Sequence, residues 1–179
     1  DQLETPAVLV DLDIMEANIA RLADYGRRHD LRLRPHTKTH KIPAIARMQI
    51  ESGCQGITVA KVGEAEVMAA AGLDDILVAY PTFGEMKLKR LAALATKKRI
   101  TVAIDNVATA EAISQAAQAA GSTIDLLVEI DVGMRRCGVA TPEDAEILAK
   151  TIIKLPSVQF AGLNLYPGHI WMPPKSEEH

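Results

Sequence analysis

Short runs of β-branched residues alternate with helical stretches along almost the whole chain, and this alternation constrains the fold more than any other feature. After a short predicted strand at 8–12 and a helix, the series of predicted strands is 31–34, 56–60, 76–79, 100–104, 124–130 and 158–165. Strands separated by helices of this length pair in parallel through right-handed crossovers. Two α/β architectures have this pattern, a doubly wound open sheet and a (β/α) barrel, and the alternation alone does not separate them.

Several helices in the pattern carry recognisable end signals. Asp13 with Glu16 three residues later predicts a capping box at the start of the first helix. Thr141 is expected to cap a later helix that has Pro142 in its first turn. The alanine-rich run 108–120 predicts a further helix, because alanine has the highest helix propensity.

The missing phosphate-binding motifs favour the barrel. No dinucleotide-binding fingerprint follows the first strands and the sequence has no GxxxxGK(S/T) loop, which argues against a nucleotide-binding open sheet. A complete eight-stranded barrel needs about 250 residues, whereas this chain has 179. We therefore expect a TIM-type (β/α)8 barrel truncated to about six strands, with residues 1–179 forming one incomplete domain.

Composition and charge argue against nucleic acid and membranes as binding partners. The 20 basic residues are interleaved with 23 acidic ones, and a net charge of -3 gives no reason to expect nucleic acid. No apolar stretch approaches the roughly 20 residues of a membrane span. Cys54 and Cys137 are far apart and lack a disulfide or zinc-cluster spacing. We expect a cytoplasmic protein whose partner is a small, polar metabolite.

The segment RPHTKTHK, residues 34–41, follows the strand at which a barrel would begin to line its ligand site. Neighbouring cations would lower the pKa of Lys38 and leave a nucleophilic amine that can form a Schiff base. A solvated basic turn at the start of a helix is an equally good interpretation of the composition. A metal site built from His36 and His40 is a third alternative, although Pro35 disfavours the helical geometry that it needs.

The segment VEIDVGMRRCGV, residues 128–139, follows the fifth strand of the series. Gly133 and Gly138 bracket two arginines, so a tight loop could aim a guanidinium into the mouth of the barrel. The alternative is a solvated turn, and at least one of Arg135 and Arg136 is expected to lie in solvent.

Polar residues follow two more strands of the series. Tyr166 and His169 flank a Pro-Gly turn after the sixth strand, where they could instead be a packing residue and a surface residue. Asp105 follows the fourth strand and is either a helix cap or a site residue. Because Lys38, a loop arginine and the Tyr/His pair all converge on one face, the sequence predicts a single ligand site there.

Four segments, in order, resemble the D-threonine aldolase and D-serine dehydratase family of fold-type III pyridoxal-phosphate (PLP) enzymes: TPAVLVDLD, RPHTKTHK, VEIDVGMRRCGV and FAGLNLYPGHI. The family has an alanine racemase-like N-terminal barrel, and RPHxKxHK is the most specific element of the resemblance. The resemblance implies that Lys38 is the Schiff-base lysine, that Arg136 approaches the cofactor's phenolic oxygen and that Tyr166 is a catalytic, cofactor-site tyrosine. His36 and His169 are further cofactor-site candidates.

The resemblance implies a lyase that cleaves a β-hydroxy D-amino acid to glycine and an aldehyde. A D-serine dehydratase-type ammonia-lyase, which releases a keto acid and ammonia, is the alternative, and a racemase ranks third. The aldolase is favoured because VEIDVGxxRCGV followed by FAGLxxYxG resembles that branch more closely. A PLP-binding protein without catalytic activity is a competing hypothesis from another class, but its lysine context does not resemble PHTKTHK.

The resemblance does not extend to the family's last barrel strands, its phosphate loop or its C-terminal β domain. The family's divalent metal ligands lie in that part, so no metal-ligating residue is assigned here, and a metal is expected only in a full-length protein. The family also implies a homodimer with a shared active site. We therefore do not expect the chain alone to be a complete catalyst.

Overall fold

The computed structural model describes residues 3–170, in which helices and strands alternate as the sequence predicts from residue 43 onward. The elements are α1 Leu12–Arg28, α2 Pro43–Glu51, β1 Ile57–Val59, α3 Val62–Ala70, β2 Asp75–Val78, α4 Glu85–Ala95, β3 Arg99–Ile104, α5 Val107–Ala120, β4 Ile124–Ile130, α6 Pro142–Lys154 and β5 Val158–Leu165. Within this range, no helix combines the length and the apolar character that crossing a membrane requires.

The strand order separates the two architectures that the sequence left open. All five strands are parallel and lie in the order β1-β2-β3-β4-β5. A doubly wound sheet reverses its strand order at a switch point, whereas here every crossover advances the sheet in the same direction. The fold is therefore part of a TIM-type barrel, which confirms the predicted fold class.

The apolar core lies between the helices and one face of the sheet. Alternate strand residues such as Ile76 and Val78 point to this face and are fully buried, together with Leu91 of α4 and Ile113 of α5. Burying each large aliphatic side chain stabilises the fold by about 1.5–3 kcal/mol. The intervening strand residues face the opposite side, which leaves that side of the sheet free to line a site.

The predicted first strand at 8–12 is wrong. The structure starts α1 at Leu12, and Val8 is 95% exposed in an irregular segment that precedes the helix. The cap is Asp11, whose side chain accepts from the Ile14 N–H at 3.1 Å, so the predicted capping box of Asp13 and Glu16 is also wrong. The segment has strand-like composition, but a strand also needs a partner for its backbone groups.

The predicted strand at 31–34 is likewise wrong, so the described sheet has five strands where six were expected. Backbone pairing with β1 begins later: the Thr58 N–H donates to the Pro35 carbonyl, and the Thr37 N–H donates to the Thr58 carbonyl, each at 2.8 Å. Within residues 3–170, this segment makes a single isolated bridge to β1, between His36 and Thr58. Because proline has no N–H, it interrupts the ladder that a regular strand would need.

The other predicted helix starts are confirmed. The Thr141 hydroxyl oxygen accepts from the Asp144 N–H at 3.1 Å, and Pro142 lies in the first turn of α6. The alanine-rich run 108–120 lies within α5, which ends at Gly121 in the left-handed conformation. Glycine is the residue that adopts this conformation at least cost.

Charged side chains at the amino ends of the strands pair with one another. Arg34 donates to both carboxylate oxygens of Asp75 at 2.7 and 3.0 Å, and Arg99 donates to Asp125 at 3.1 Å. Arg99 also lies 3.8 Å from Asp75, which links the two pairs. We call Arg34, Asp75, Arg99 and Asp125 the amino-end charge chain. Gly56 leaves the necessary room, because a Cβ there would lie 2.2 Å from a nitrogen of the Arg34 guanidinium.

Candidate active site

A cavity of about 440 Å³ lies on the side of the sheet opposite the core, within the size range of small-molecule sites. It is lined by the turn before β1, by the carboxyl-end halves of four strands and by the loops that follow them. The lining residues are Arg34, His36, Lys38, Thr58, Ala60, Leu77, Ala79, Tyr80, Glu129, Arg136, Asn164, Leu165 and Tyr166. Four of the five predicted site residues, His36, Lys38, Arg136 and Tyr166, are therefore brought together.

Lys38 lies in a turn that is fixed to β1. Thr37, which is 1% exposed, donates to the Thr58 carbonyl from both its N–H and its hydroxyl. The Lys38 N–H donates to Nδ1 of His36 at 3.3 Å, which orients the imidazole against the same turn. The Lys38 amine lies 5.9 Å from the centre of the Tyr166 ring. A buried threonine thus anchors a lysine whose amine reaches the cavity.

Arg136 lies over the same aromatic ring. Its guanidinium carbon is 4.7 Å from the centre of the Tyr166 ring, within the range of a cation–π interaction. The ring in turn packs on Gly168, where a Cβ would lie 2.2 Å from Cε1 of Tyr166. No ion pair within residues 3–170 includes Lys38 or Arg136. Two cations therefore flank one aromatic ring at the cavity, and no carboxylate in the described part of the chain pairs with either.

The loop that carries Arg136 is ordered by its own backbone donors. One oxygen of Asp131 accepts from the N–H groups of Gly133 and Arg135, both at 2.9 Å. The N–H of Arg135 and then that of Gly133 hold the pKa of Asp131 below its ordinary value, because they stabilise the carboxylate. Arg135 adopts a left-handed conformation with φ 56° and does not line the cavity. Of the two arginines that the sequence left open, the site receives Arg136.

Glu129 and Asn164 line the cavity and were not predicted from the sequence. Glu129 is 5% exposed, and its carboxylate accepts from the Asn164 amide and from the Cys137 thiol, the latter at 3.7 Å. The two residues are register partners on β4 and β5. The available signal was the alternation along β4, which buries Val128 in the core and turns Glu129 to the other face.

The two histidines of RPHTKTHK lie in different places. His36 lines the site cavity, whereas His40 lines a separate groove beside α1 and α2. Burial, and for His36 also the charge of Lys38, lowers the pKa of each imidazole. In the part of the chain that the structure describes, no group of three or more His, Cys, Asp or Glu residues could hold a metal ion. The separation of the two rings gives the metal alternative no support.

His169 and Asp105 both contact the loop that carries Arg136. His169 packs against Gly133, where a Cβ would lie 3.1 Å from Nε2, and it is outside the set that lines the cavity. Its predicted role at the cofactor stays a prediction. Asp105 accepts from the Gly138 N–H at 3.2 Å, while Asn106 caps α5. Asp105 is therefore not the helix cap but a contact of the loop.

Known proteins of similar sequence belong to the family that the four sequence segments resemble. The family model described as "Alanine racemase, N-terminal domain" matches residues 10–179. D-threonine aldolase from Arthrobacter sp. is 42% identical over 169 residues, which are 94% of this chain and 45% of that protein. D-threo-3-hydroxyaspartate dehydratase from Delftia sp. (strain HT23) is 38% identical over 151 residues, which are 82% of this chain and 39% of that protein.

Among solved structures, the crystal structure of D-threonine aldolase from Filomicrobium marinum superposes with a TM-score of 0.88 and 42% identity, covering 89% of this chain and 43% of that one. The chain thus spans less than half the length of each of these three relatives. The family match nevertheless covers nearly the whole chain and contains Lys38, Arg136 and Tyr166. The chain belongs to the alanine racemase N-terminal domain family.

Proposed function

We propose that this chain is the PLP-binding part of a lyase of D-threonine aldolase type, which cleaves a β-hydroxy D-amino acid to glycine and an aldehyde. The observation that carries the proposal is the meeting of Lys38, Arg136 and Tyr166, from three separate motifs, at one cavity. The likeness to a protein named D-threonine aldolase supports the choice of reaction. We further propose an amino-acid substrate and a homodimeric complete protein, in which a divalent metal completes the site.

The chemistry of the cavity suits PLP. It offers a primary amine for the aldehyde, a guanidinium for an anionic oxygen and an aromatic face beside them. Ala60 and Ala79, directly after β1 and β2, line the cavity with small side chains. Lys38 would hold the cofactor covalently, with Arg136 and Tyr166 beside it. When bound, PLP supplies an electron sink for the α-carbon of an amino acid.

The protein's own side chains prepare this site in three ways. His36, whose pKa is lowered by burial and by Lys38, stays neutral near pH 7 and accepts from the Lys38 N–H. The Arg136 guanidinium favours an anionic ligand. The Tyr166 phenol can both donate and accept a hydrogen bond, so it can hold or transfer a proton at its hydroxyl.

Cofactor binding is tested by adding PLP, recording the absorbance spectrum, reducing with borohydride and locating the adduct by mass spectrometry. We expect the adduct on Lys38 in the wild type and no adduct in Lys38→Ala. Lys41→Ala is the matched control, because Lys41 belongs to the same motif but pairs with Glu64 at 3.1 Å. An adduct that persists in Lys38→Ala, or a complete protein that traps no PLP, contradicts the proposal.

The reaction is tested on the complete protein with D-threonine and with D-threo-3-hydroxyaspartate. Formation of glycine and acetaldehyde from D-threonine is the expected result. The likeness to a D-threo-3-hydroxyaspartate dehydratase makes the ammonia-lyase the second candidate. Release of ammonia and a keto acid, without glycine, would select that candidate over the aldolase. A protein that traps PLP on Lys38 but turns over neither substrate would instead favour a PLP-binding protein without this activity.

A further inference from the structure

The two residues that follow Arg136 are each held by a carboxylate from the sheet. The Gly138 N–H donates to Asp105 at 3.2 Å, and the Cys137 thiol donates to Glu129 at 3.7 Å. Asp105 comes directly after β3 and Glu129 lies in β4, which pairs with β3. Two neighbouring strands therefore hold the same short stretch of the loop.

The loop between Asp131 and Gly138 is closed at its base. The Val139 N–H donates to the Glu129 carbonyl at 2.9 Å, and the Asp131 N–H donates to the Val139 carbonyl at 3.0 Å. Gly138 has φ 110°, and a Cβ there would lie 2.4 Å from the Asp131 nitrogen. Only glycine allows this close return of the chain. Arg136 thus extends from a point close to the closed base of the loop.

Both carboxylates are themselves fixed by a second partner. Asp105 accepts from the Asn106 side-chain amide at 2.9 Å, and Asn106 caps α5. Glu129 accepts from the amide of Asn164, its register partner on β5. Groups that are held from both sides can transmit the geometry of the sheet to the loop, because neither can rotate without losing a hydrogen bond.

Arg136 depends on this support more than a salt-bridged arginine would. Within residues 3–170 its guanidinium has no carboxylate partner, and its recorded contact is the face of the Tyr166 ring. A cation–π contact at an exposed site is weak. The backbone of the loop therefore decides where the guanidinium lies.

We propose that Asp105 and Glu129 are positioning residues that hold Arg136 over Tyr166 at the cavity. The role in cofactor binding rests on the proposed function, whereas the placement of Arg136 does not. The tests below separate these two parts by measuring the placement first without PLP. They use the complete protein, so that no part of the site is left out.

The first test measures the placement without cofactor, by NMR on protein with carbon-13-labelled arginine. In the wild type, the Tyr166 ring current shifts the side-chain signals of Arg136, and the Tyr166→Leu variant gives the unshifted reference. We expect Asp105→Ala to move the Arg136 signals toward that reference. We also expect exchange of the Gly138 amide proton to become about tenfold faster or more, because the amide loses a charged acceptor.

Two further variants distinguish a specific effect on the position of Arg136 from a general loosening of the fold. Asp105→Asn keeps an acceptor oxygen for the Gly138 N–H and should retain near-wild-type Arg136 signals. Asp125→Asn removes a carboxylate from the amino end of β4, where it pairs with Arg99, and should leave the Arg136 signals unchanged. Unchanged Arg136 signals in Asp105→Ala, or equal displacement in Asp125→Asn, overturn the proposal.

A milder variant tests the contact with Glu129. Cys137→Ala removes the thiol donor without leaving a new charge in the cavity, and it should displace the Arg136 signals in the same direction as Asp105→Ala. The displacement should be smaller, because a thiol is a weak donor. Arg136 signals identical to those of the wild type in Cys137→Ala would remove Glu129 from the proposal.

The second test measures the dissociation constant of PLP. We expect Asp105→Ala to raise it about tenfold, as expected for loss of one charge-assisted contact, with Lys38 still the residue trapped by borohydride. An unchanged constant, despite displaced Arg136 signals, overturns the role in cofactor binding. A complete protein that binds no PLP contradicts the proposed function alone, because the first test still decides the placement of Arg136.

Discussion

At the amino ends of the parallel strands, charged side chains pair with one another, including Arg34, which also lines the cavity. The two cations near the carboxyl ends, Lys38 and Arg136, line the same cavity without a carboxylate partner within residues 3–170. Arg34 and Asp75, in the amino-end charge chain, make a two-bonded ion pair with side chains 21% and 17% exposed. Lys38 and Arg136, at the carboxyl ends, approach the ring of Tyr166 instead. Opposite ends of the same strands thus use the same residue types in different ways.

This difference shows which charged groups are still able to bind a ligand. At the amino end, the attraction of a partner already offsets the desolvation of each charge, so a ligand would gain little from binding there. An unpaired cation at a cavity can still gain a partner, and perturbed or unpaired charges cluster at functional sites for this reason. The carboxylates near the cavity, Asp105 and Glu129, contact the loop that carries Arg136 and neither cation.

The largest expected effect comes from breaking the ion pair between Arg34 and Asp75 at the amino end of the strands. Asp75→Asn leaves the Arg34 guanidinium without its two-bonded partner, and because the pair is only partly exposed we expect a loss of about 2–3 kcal/mol in the free energy of unfolding. Urea denaturation measures this loss. Asp24→Asn is the control, because its partner Arg28 is 64% exposed and the change should cost less than about 0.5 kcal/mol. Equal losses in the two variants would remove the contrast between a structural pair and a surface pair.

The second prediction removes a cation from the carboxyl end. Arg136→Ala should weaken PLP binding about tenfold or more, because a charged contact is lost. Its free energy of unfolding should fall by no more than about 1 kcal/mol, the contribution of the cation–π contact with Tyr166. Parallel PLP titration and urea denaturation test both parts. A destabilisation as large as that of Asp75→Asn would mean that Arg136 supports the fold and not the site.

The residues that were predictable from the sequence are those whose position depends on chain direction alone. Lys38, Arg136 and Tyr166 each follow a strand or strand-like segment, and parallel strands bring their carboxyl ends to one edge. Through a family resemblance, the motif RPHxKxHK added the prediction that Lys38 forms the Schiff base. No knowledge of strand register was needed for any of these three.

The residues that were missed or left open depend on register and on backbone pairing. Glu129 meets Asn164 only because β4 and β5 pair with an irregularity at Leu126 and Leu127, which no sequence pattern signals. Asp105 could cap a helix equally well, and only the return of the loop to Gly138 decides its role. The strand predicted at 31–34 failed because pairing with β1 itself begins only at Pro35, the residue after the segment. The Leu33 carbonyl accepts from the Gln55 N–H, which lies before β1.

The third prediction sharpens the comparison by moving the ring and leaving both cations in place. Gly168→Ala places a Cβ 2.2 Å from the Tyr166 ring, so the ring must shift away from its packed position. The cation–π contact of Arg136, about 0.5–1 kcal/mol, should be lost, and PLP binding should weaken roughly two- to fivefold. PLP titration measures the effect. Binding stronger than that of the wild type would contradict a role for Tyr166 beside the cofactor.

The smallest expected effect is a pH dependence that arises from His36. Burial and Lys38 lower its pKa below the ordinary value of 6.5, so the unfolded chain binds more protons than the folded one as the pH falls through that value. Stability should therefore be complete above pH 6.5 and decrease as the pH falls toward the folded-state pKa. His40, whose pKa is also lowered, adds a change of the same sign. Urea denaturation between neutral and mildly acidic pH measures the sum.

Measuring PLP binding over the same pH range distinguishes the contribution of His36 from that of His40. A protonated His36 no longer has an acceptor at Nδ1 for the Lys38 N–H, so the turn that holds the lysine should loosen. His36→Asn and His40→Asn should both flatten the pH dependence of stability, but only His36→Asn should alter that of PLP binding. His40 lines the groove beside α1 and α2, away from the cavity. Equal effects of both variants on PLP binding would show that acid acts on the whole fold and not on the lysine turn.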